Sequence, residues 1–336
     1  MKKNVLIICG GGGEEHEISL TSADYLLQQL RSTQDFNIFD MEITKSGKRI
    51  NQAGEELELR RAGELVWKDT GKTEKIDFFI PCIHGPPGEN GMIQGLFEMM
   101  DVPYLGCGPE ASQTCFNKVT TKLWLEALGI PNTPWVFLDS LSGLSLDKAF
   151  DFFSKHGDVF IKAASQGSSI GCYHVTEKNA LQEKLEEAFR FGPYVLIEKT
   201  IKARELEVAV FETKDGPKAS APGEIICPSQ FYSFEEKYAQ TSHTQTHPKA
   251  KGLSSKQVQE LQEIALKAFQ GLKLKHLARI DFFLTSENQI YLNEINTFPG
   301  MTPISLFPAM VEASGLTFQS FLTGIIKQSC QKKDHS

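Results

Sequence analysis

The chain has 336 residues, 40% of them hydrophobic and 23% charged, and a net charge of −7. That length accommodates about two or three domains, the composition is that of a globular protein, and an acidic balance with no basic run excludes nucleic acid as a partner. Seven cysteines, at positions 9, 82, 107, 115, 172, 227 and 330, are scattered and never spaced C-x-x-C, which points to reduced thiols in a cytoplasmic protein without a zinc site. No apolar run reaches the length of a membrane span. The one after Lys2-Lys3 is too short for a signal peptide and ends in four glycines.

Residues 4–9 predict a buried strand, and Gly10 to Gly13 lead into a helix from about Glu17 to Arg31. Strand, glycine loop and helix open a doubly wound domain. The glycines do not complete a dinucleotide fingerprint, because the third would fall at Glu15. Glu15 and Glu17 suit the positive end of a helix. Residues 76–83 predict a second buried strand, ending in Ile83-His84-Gly85. A histidine at the C-terminal end of a parallel strand sits where open α/β sheets bind ligands. Next come a turn over Pro86 to Gly91, a helix over 92–100 with Leu96, Met99 and Met100 inward, a strand over 102–105, and one long helix from Pro109 to Leu128 carrying Lys118. Composition shifts near Gly129 to Pro134, and the expected units are 1–120, 121–201 and 202–330.

The middle unit reads as a helix over 145–156, a strand ending at Lys162, a small-residue loop from Ala163 to Gly171, a strand over 172–175, a helix over 177–190 and a strand over 194–197. Small residues let backbone N–H groups approach phosphate oxygens, although no Gly-Lys-Ser/Thr follows and this is no Walker A loop. Lys162 closes the apolar run Val159-Phe160-Ile161, an unnatural place for a solvated lysine. Glu205 and Glu207 alternate with Leu206, Val208 and Val210 in a further strand, and the long polar stretch 229–250 has the character of a lid. His243 and His247, four apart there, read as solvated histidines and no metal pair. Ser254 caps a helix running to about Gly271, and a last helix covers 316–328.

Between them, residues 278–296 predict two strands around the turn Thr285 to Gln289. Alternation puts Ile280, Phe282 and Leu284 with Tyr291 and Ile295 on an apolar face, and Arg279, Asp281, Glu294 and Asn296 on the other. Centring the hairpin between Glu287 and Asn288 sets Asp281 opposite Glu294 and Arg279 opposite Asn296. Directly opposed carboxylates repel and call for a positive charge between them. Carboxylate and amide oxygens are hard ligands that suit Mg²⁺.

These residues carry a resemblance. The run Arg279-Ile280-Asp281, then Asn293-Glu294-Ile295-Asn296, then the T-x-PGMT-x-x-SL pattern from Thr297 to Leu306 resembles the D-alanine–D-alanine ligases of the ATP-grasp superfamily. Further motifs fall in family order: GG-x-x-x-E-x-E-x-S over Gly10 to Ser19, HG-x-x-GE-x-G over His84 to Gly91, K-x-x-x-x-GSS-x-G from Lys162, and F-x-x-KY ending at Tyr238. The fold so implied is α/β: an N-terminal doubly wound parallel-sheet domain and two α+β domains clasping ATP. The activity implied is ATP-dependent joining of two D-alanines through an acyl phosphate, for peptidoglycan precursor synthesis. The catalytic set is Glu15, which holds the first substrate's ammonium, with Ser168, Tyr238, Arg279 and the Gly300 N–H. His84, Ser305 and Leu306 would contact the amino acids, and Lys118, Lys162 and Lys237 the phosphates of ATP. Glu198, Lys199 and Ile201 belong to the hinge that reads adenine, and Glu205 would take the ribose hydroxyls. Two Mg²⁺, or Mn²⁺, would sit on Asp281, Glu294 and Asn296. A homodimer follows from the resemblance alone. Tyr238 favours the dipeptide over D-alanyl-D-lactate, and the alternatives are D-alanine–D-lactate or D-alanine–D-serine ligation, an ATP-binding protein without turnover, and, weakest, a nicotinamide oxidoreductase.

Overall fold

A computed structural model describes residues 2–226 and 244–334. The apolar run at the start forms β1 (Lys3–Gly10), which alternates faces: Val5 and Ile7 enter one core, Leu6 and Ile8 another. After α1 (His16–Arg31) come β2 (Phe36–Ile43) and β3 (Arg49–Ile50), a small antiparallel sheet of β4 (Leu57–Arg60), β5 (Glu64–Trp67) and β6 (Thr73–Lys75), and β7 (Phe78–Cys82). The first sheet runs β3-β2-β1-β7, with β1 parallel to both β2 and β7. One face packs on α1 through Leu26 and Leu30; the other packs on α2 (Met92–Met100) and the small sheet. The turn out of β1 requires glycine. Gly10 has φ +83°, and a Cβ there would meet the Ile43 carbonyl oxygen at 2.4 Å.

Three local expectations change. The inward face of α2 is Ile93, Gln94 and Phe97, while Leu96 and Met99 are exposed, because Phe97 packs on Phe79 and fixes the helix phase. Residues 102–105 make a single bridge, Phe79 to Tyr104, before Gly106 (φ +107°) turns the chain away. The long helix is two, α3 (Pro109–Phe116) and α4 (Lys118–Ala127), broken at Asn117. Asn117 is extended, and its side chain accepts from the N–H groups of Val119 and Thr120, so it caps α4.

The second sheet is antiparallel, in the order β10-β9-β11-β8, and is made of β8 (Trp135–Leu138), β9 (Val159–Ala163), β10 (Cys172–Val175) and β11 (Val195–Lys199). It packs on α5 (Gly143–His156) and α6 (Leu181–Phe189). A third sheet runs β15-β14-β12-β16-β17 with β13 beside β12. Its strands are β12 (Ala203–Thr213), β13 (Gly216–Ala219), β14 (Gly223–Ile226), β15 (Gln245–His247), β16 (Leu277–Thr285) and β17 (Ile290–Asn296). The helix α7 (Ser255–Gly271), with a Ser254–Gln257 capping box, covers it through Leu261, Ala265 and Phe269. The last helices, α8 (Leu306–Ala313) and α9 (Phe318–Asp334), pack against α1 and β12 together, so the first and third sheets share one core. No helix among the described residues is long and apolar enough to cross a membrane.

The hairpin β16–β17 has the expected register at one end only. Asp281 pairs with Glu294 and Arg279 with Asn296, but Leu284 pairs with Ile290 and Phe282 with Leu292. The turn is therefore centred one half-step earlier, and Asn293 is an extra residue in β17. That bulge flips the alternation, since Ile290 and Leu292 point into the core, Glu294 and Asn296 point out, and Ile295 points in again. Tyr291 leaves the apolar face it was expected to join, and lies opposite Phe283.

Candidate active site

A row of acids crosses the third sheet. Glu207 on β12 lies opposite Asp281 on β16, which lies opposite Glu294 on β17. Three carboxylates on adjacent strands repel, and the groups beside them show what holds the row. Arg279, two residues from Asp281 and so on the same face, grips both Asp281 oxygens at 2.8 Å and Glu207 Oε1 at 3.2 Å. Burial works against its charge, but Asp281 and Glu207 outweigh burial and hold its proton more tightly than usual. Asn296 donates to Asp281 at 3.0 Å, and Lys118 lies 3.1 Å from Glu294.

The second sheet contributes cations. Lys162 projects from β9 and meets Glu198 of β11 at 2.8 Å and the bulge residue Asn293 at 3.4 Å. The other oxygen of Glu198 lies 3.1 Å from Lys122, a residue of α4 whose side chain is only 2% exposed. Burial alone would raise the Glu198 pKa, yet Lys122 and Lys162 bring it down to about 2. Lys162 is shifted upward, the pull of Glu198 exceeding the cost of burial. Lys122 is shifted downward, because burial exceeds the pull of Glu198.

The loop between β9 and β10 closes the arrangement. Ser168 and Ser169 adopt φ values of +50° and +61°, a left-handed backbone that non-glycine residues adopt only at a cost of about 1–3 kcal/mol each. The Ser168 hydroxyl donates to Glu15 Oε1 at 2.6 Å, and Lys118 donates to the Gln166 carbonyl at 2.6 Å. The loop is thus fastened both to the start of α1 and to α4. Nearby, His84 shares a 3.0 Å contact with Ser22 and lies 3.6 Å from Glu89. Burial pushes the Glu89 carboxyl up, and His84 offsets part of that. Glu89, Gln166, Gly167, Glu294 and Asn296 line one narrow cleft. A larger groove, about 740 Å³, lies between α7 and the Ala221–Pro222 turn and shares no residue with it.

Family profiles described as D-ala D-ala ligase N-terminus and D-ala D-ala ligase C-terminus match residues 4–107 and 124–327. The chain belongs to the D-alanine–D-alanine ligase family. It is 52% identical over 327 residues to the D-alanine–D-alanine ligase of Shewanella pealeana, covering 97% of this chain and 98% of that protein. The crystal structure of D-alanyl-alanine synthetase A from Vibrio cholerae resembles it with a TM-score of 0.92 at 47% identity, covering 98% of both chains. The VanG D-Ala:D-Ser ligase of Enterococcus faecalis does so with a TM-score of 0.86 at 27% identity, covering 97% of this chain and 99% of that one. The ligase family thus supplies the ATP-grasp architecture whatever the second substrate.

Against the ligase motifs, Glu15 contacts Ser168, Lys118 contacts Glu294, Lys162 contacts Asn293, and Arg279 and Asn296 contact Asp281, and these four groups adjoin through the 163–171 loop and the β16–β17 pairing. Gly300 belongs to the loop after β17 that is anchored by the buried Phe298 and Met301. A Cβ on it would lie 3.0 Å from the Ser305 hydroxyl, which contacts Thr302 and sits at the N-cap of α8. Leu306 buries its side chain in the shared core and can offer only its backbone to the cleft. Glu198 spends its carboxylate on two lysines, and the Lys199 N–H donates to the Pro134 carbonyl. Ile201 follows the end of β11, and Glu205 faces the same side of β12 as Glu207. Glu17 pairs with Lys45 at the surface, so only Glu15 of the two turns inward. Lys237 and Tyr238 lie outside the described residues, as does His243.

Four contributors escaped the sequence reading. Lys122 is four residues after Lys118 and thus on the same helix face, a usable signal. Glu207 is opposite Asp281 only once β12 and β16 are paired. Asn293 reaches Lys162 through a bulge that no pattern announces. Glu89 lies within the loop motif but becomes a partner of His84 only when the loop folds back.

Proposed function

We propose that this chain joins two D-alanine molecules into D-alanyl-D-alanine, converting ATP to ADP and phosphate, in bacterial cytoplasm where peptidoglycan precursors are made. The observation that carries the reading is the acid row Glu207–Asp281–Glu294, clamped by Arg279, met by Lys118 at Glu294 and flanked by Lys162 at Asn293. The lysines of such a cluster neutralise and position phosphates, its carboxylates suit a cation between them, and phosphoryl transfer demands little else of a protein. The chain works as three units, 1–120, 121–201 and 202–330, and as a homodimer.

Among the described residues no three His, Cys, Asp or Glu side chains converge as a closed metal cage. The donor set fits Mg²⁺ all the same, because that ion is usually held by one or two carboxylates together with substrate phosphates. Asp281, Glu294 and Asn296 would hold it, or Mn²⁺, through hard oxygens. When bound, two such ions supply charge neutralisation at the transferring phosphoryl group.

A carboxylate oxygen of the first D-alanine attacks the γ-phosphorus of ATP, the bond to the β-phosphate oxygen breaks, and ADP leaves. The amine of the second D-alanine attacks the acyl carbon of the resulting acyl phosphate, and phosphate departs as the amine loses its proton. Glu15 holds the first ammonium, with Ser168 keeping its carboxylate in place. His84, Ser305 and the start of α8 at Leu306 orient the substrate carboxylates, and Lys118 and Lys162 hold ATP phosphates. Residues Glu198 to Ile201 border the adenine through their backbone, and Glu205 takes the ribose hydroxyls. Arg279 and the Gly300 N–H face the oxyanion that forms at the acyl carbon, a contribution of about 2.7–4 kcal/mol per donor in comparable sites.

The test is phosphate release from MgATP with D-alanine as the only amino acid, beside L-alanine. Release with D-alanine alone, accompanied by dipeptide in the mass spectrum, is expected. Release only after D-lactate or D-serine is added would move the chain to a mixed-substrate ligase.

A further inference from the structure

Lys122 is the cation of this region farthest from solvent. Its ammonium lies 3.1 Å from Glu198 Oε1, 2.7 Å from the Thr133 hydroxyl and 3.3 Å from the Asn132 side-chain oxygen. An ammonium has three donors, so these acceptors occupy all of them and none remains for a ligand. Its partner Glu198 turns its second oxygen to Lys162, whose side chain is 14% exposed and reaches Asn293, next to Glu294 of the acid row. The contacts run from a sealed lysine, through one carboxylate, to an accessible lysine.

The charges along that run matter more than the bonds. A carboxylate that positions Lys162 also cancels it, because one ammonium and one carboxylate sum to zero. A neutral donor in place of Lys122 could hold Glu198 equally well and would avoid burying a second cation, which is costly. The sealed ammonium does what a neutral donor cannot, bringing the cluster of Lys122, Glu198 and Lys162 to a formal charge of +1. We infer that Lys122 is a positioning residue that sets the charge of the phosphate site: it engages Glu198 so that Lys162 is held in place and still presents net positive charge to the nucleotide's phosphates. The inference rests on the reading that Lys162 contacts those phosphates.

The readout is the ratio of ADP to adenosine affinity, measured calorimetrically without turnover. Adenosine reports the base and ribose contacts, and the ratio isolates the phosphates. Lys122→Met takes the cluster to zero and is expected to lower the ratio about tenfold or more. Adding Glu198→Gln to Lys122→Met restores a charge of +1, leaves an amide oxygen to accept from Lys162, and is expected to recover most of the ratio. A structural role for Lys122 predicts no such recovery, and its absence overturns the inference. Should Lys122→Met fail to fold, Lys122→Gln keeps a donor to Glu198 and must still lose the ratio; an unchanged ratio there sinks the idea. Lys162→Met separates the two levels: if it leaves the ratio intact, the phosphate reading of Lys162 is wrong. If it lowers the ratio while both Lys122 substitutions do not, only the role of Lys122 is.

Discussion

Two charged clusters approach each other where Lys162 of the second sheet reaches Asn293 of the third, and they are near inversions of one another. On the third sheet, three carboxylates stand against the Arg279 guanidinium, with Lys118 of α4 beside the outermost of them, Glu294. On the second sheet and α4, two ammoniums surround one carboxylate, a formal charge of +1. Asp281 and Glu207 share one guanidinium as Lys122 and Lys162 share one carboxylate, and the lysine cluster is left with an excess of its own sign. Structural ion pairs in a core tend toward neutrality, since an uncompensated buried charge costs several kcal/mol. An excess of positive charge beside a row of acids suits a ligand that is itself both cationic and anionic, as a magnesium nucleotide is.

The largest effect is expected at the acid row. Glu294→Gln keeps the shape of the side chain and an oxygen for Lys118, so folding should be normal. It removes a carboxylate from the proposed metal site, and turnover at saturating Mg²⁺ should fall by about 100-fold or more. Wild-type phosphate release in that variant would refute the metal assignment. Next comes the centre of the same cluster. Arg279→Met removes the guanidinium that Asp281 and the 5%-exposed Glu207 share. Loss of one partner from such a buried set costs about 3–5 kcal/mol, which urea unfolding would register. If the acids were solvated enough not to need Arg279, the midpoint would hardly move.

The two clusters also differ in how legible they were. Asp281 and Glu294 are thirteen positions apart on one hairpin, and strand alternation plus a symmetric turn was enough to pair them. The pairing came out right although Asn293 bulges, because the misplaced turn centre and the bulge cancel at the far end; Tyr291, nearer the turn, betrays the error. The parallel opening sheet, the cap at Ser254 and the loop ending at Gly171 were likewise local patterns. The lysine cluster draws Lys122 from a helix and Lys162 and Glu198 from two strands, and nothing short of the packed second sheet brings them together. The break at Asn117, which makes Lys118 the first residue of α4, was hidden because both halves are helical. Residues 32–75 carry an edge of the first sheet and a three-stranded sheet that weak, short strand patterns did not announce.

The smallest of these effects is a pH dependence, and it belongs to the cation cluster. The Glu198 carboxyl is held down at about 2 in the folded chain by Lys122 and Lys162, against an ordinary value of 4.5. The unfolded chain therefore binds this proton first as pH falls, and acid favours unfolding. The stabilisation is complete above about pH 4.5 and is lost progressively toward pH 2, up to about 3 kcal/mol at 1.36 kcal/mol per pKa unit. Other carboxylates titrate in the same window, so the informative quantity is the difference between two slopes. Urea midpoints between pH 6 and pH 3 should fall less steeply for Glu198→Gln than for the wild-type chain, from a lower starting value, because the amide has no proton to gain and Lys122 and Lys162 have already lost their counter-charge. Parallel slopes would mean that Glu198 is not held ionised by its two lysines, and the likeness between the two clusters would fail at its second member.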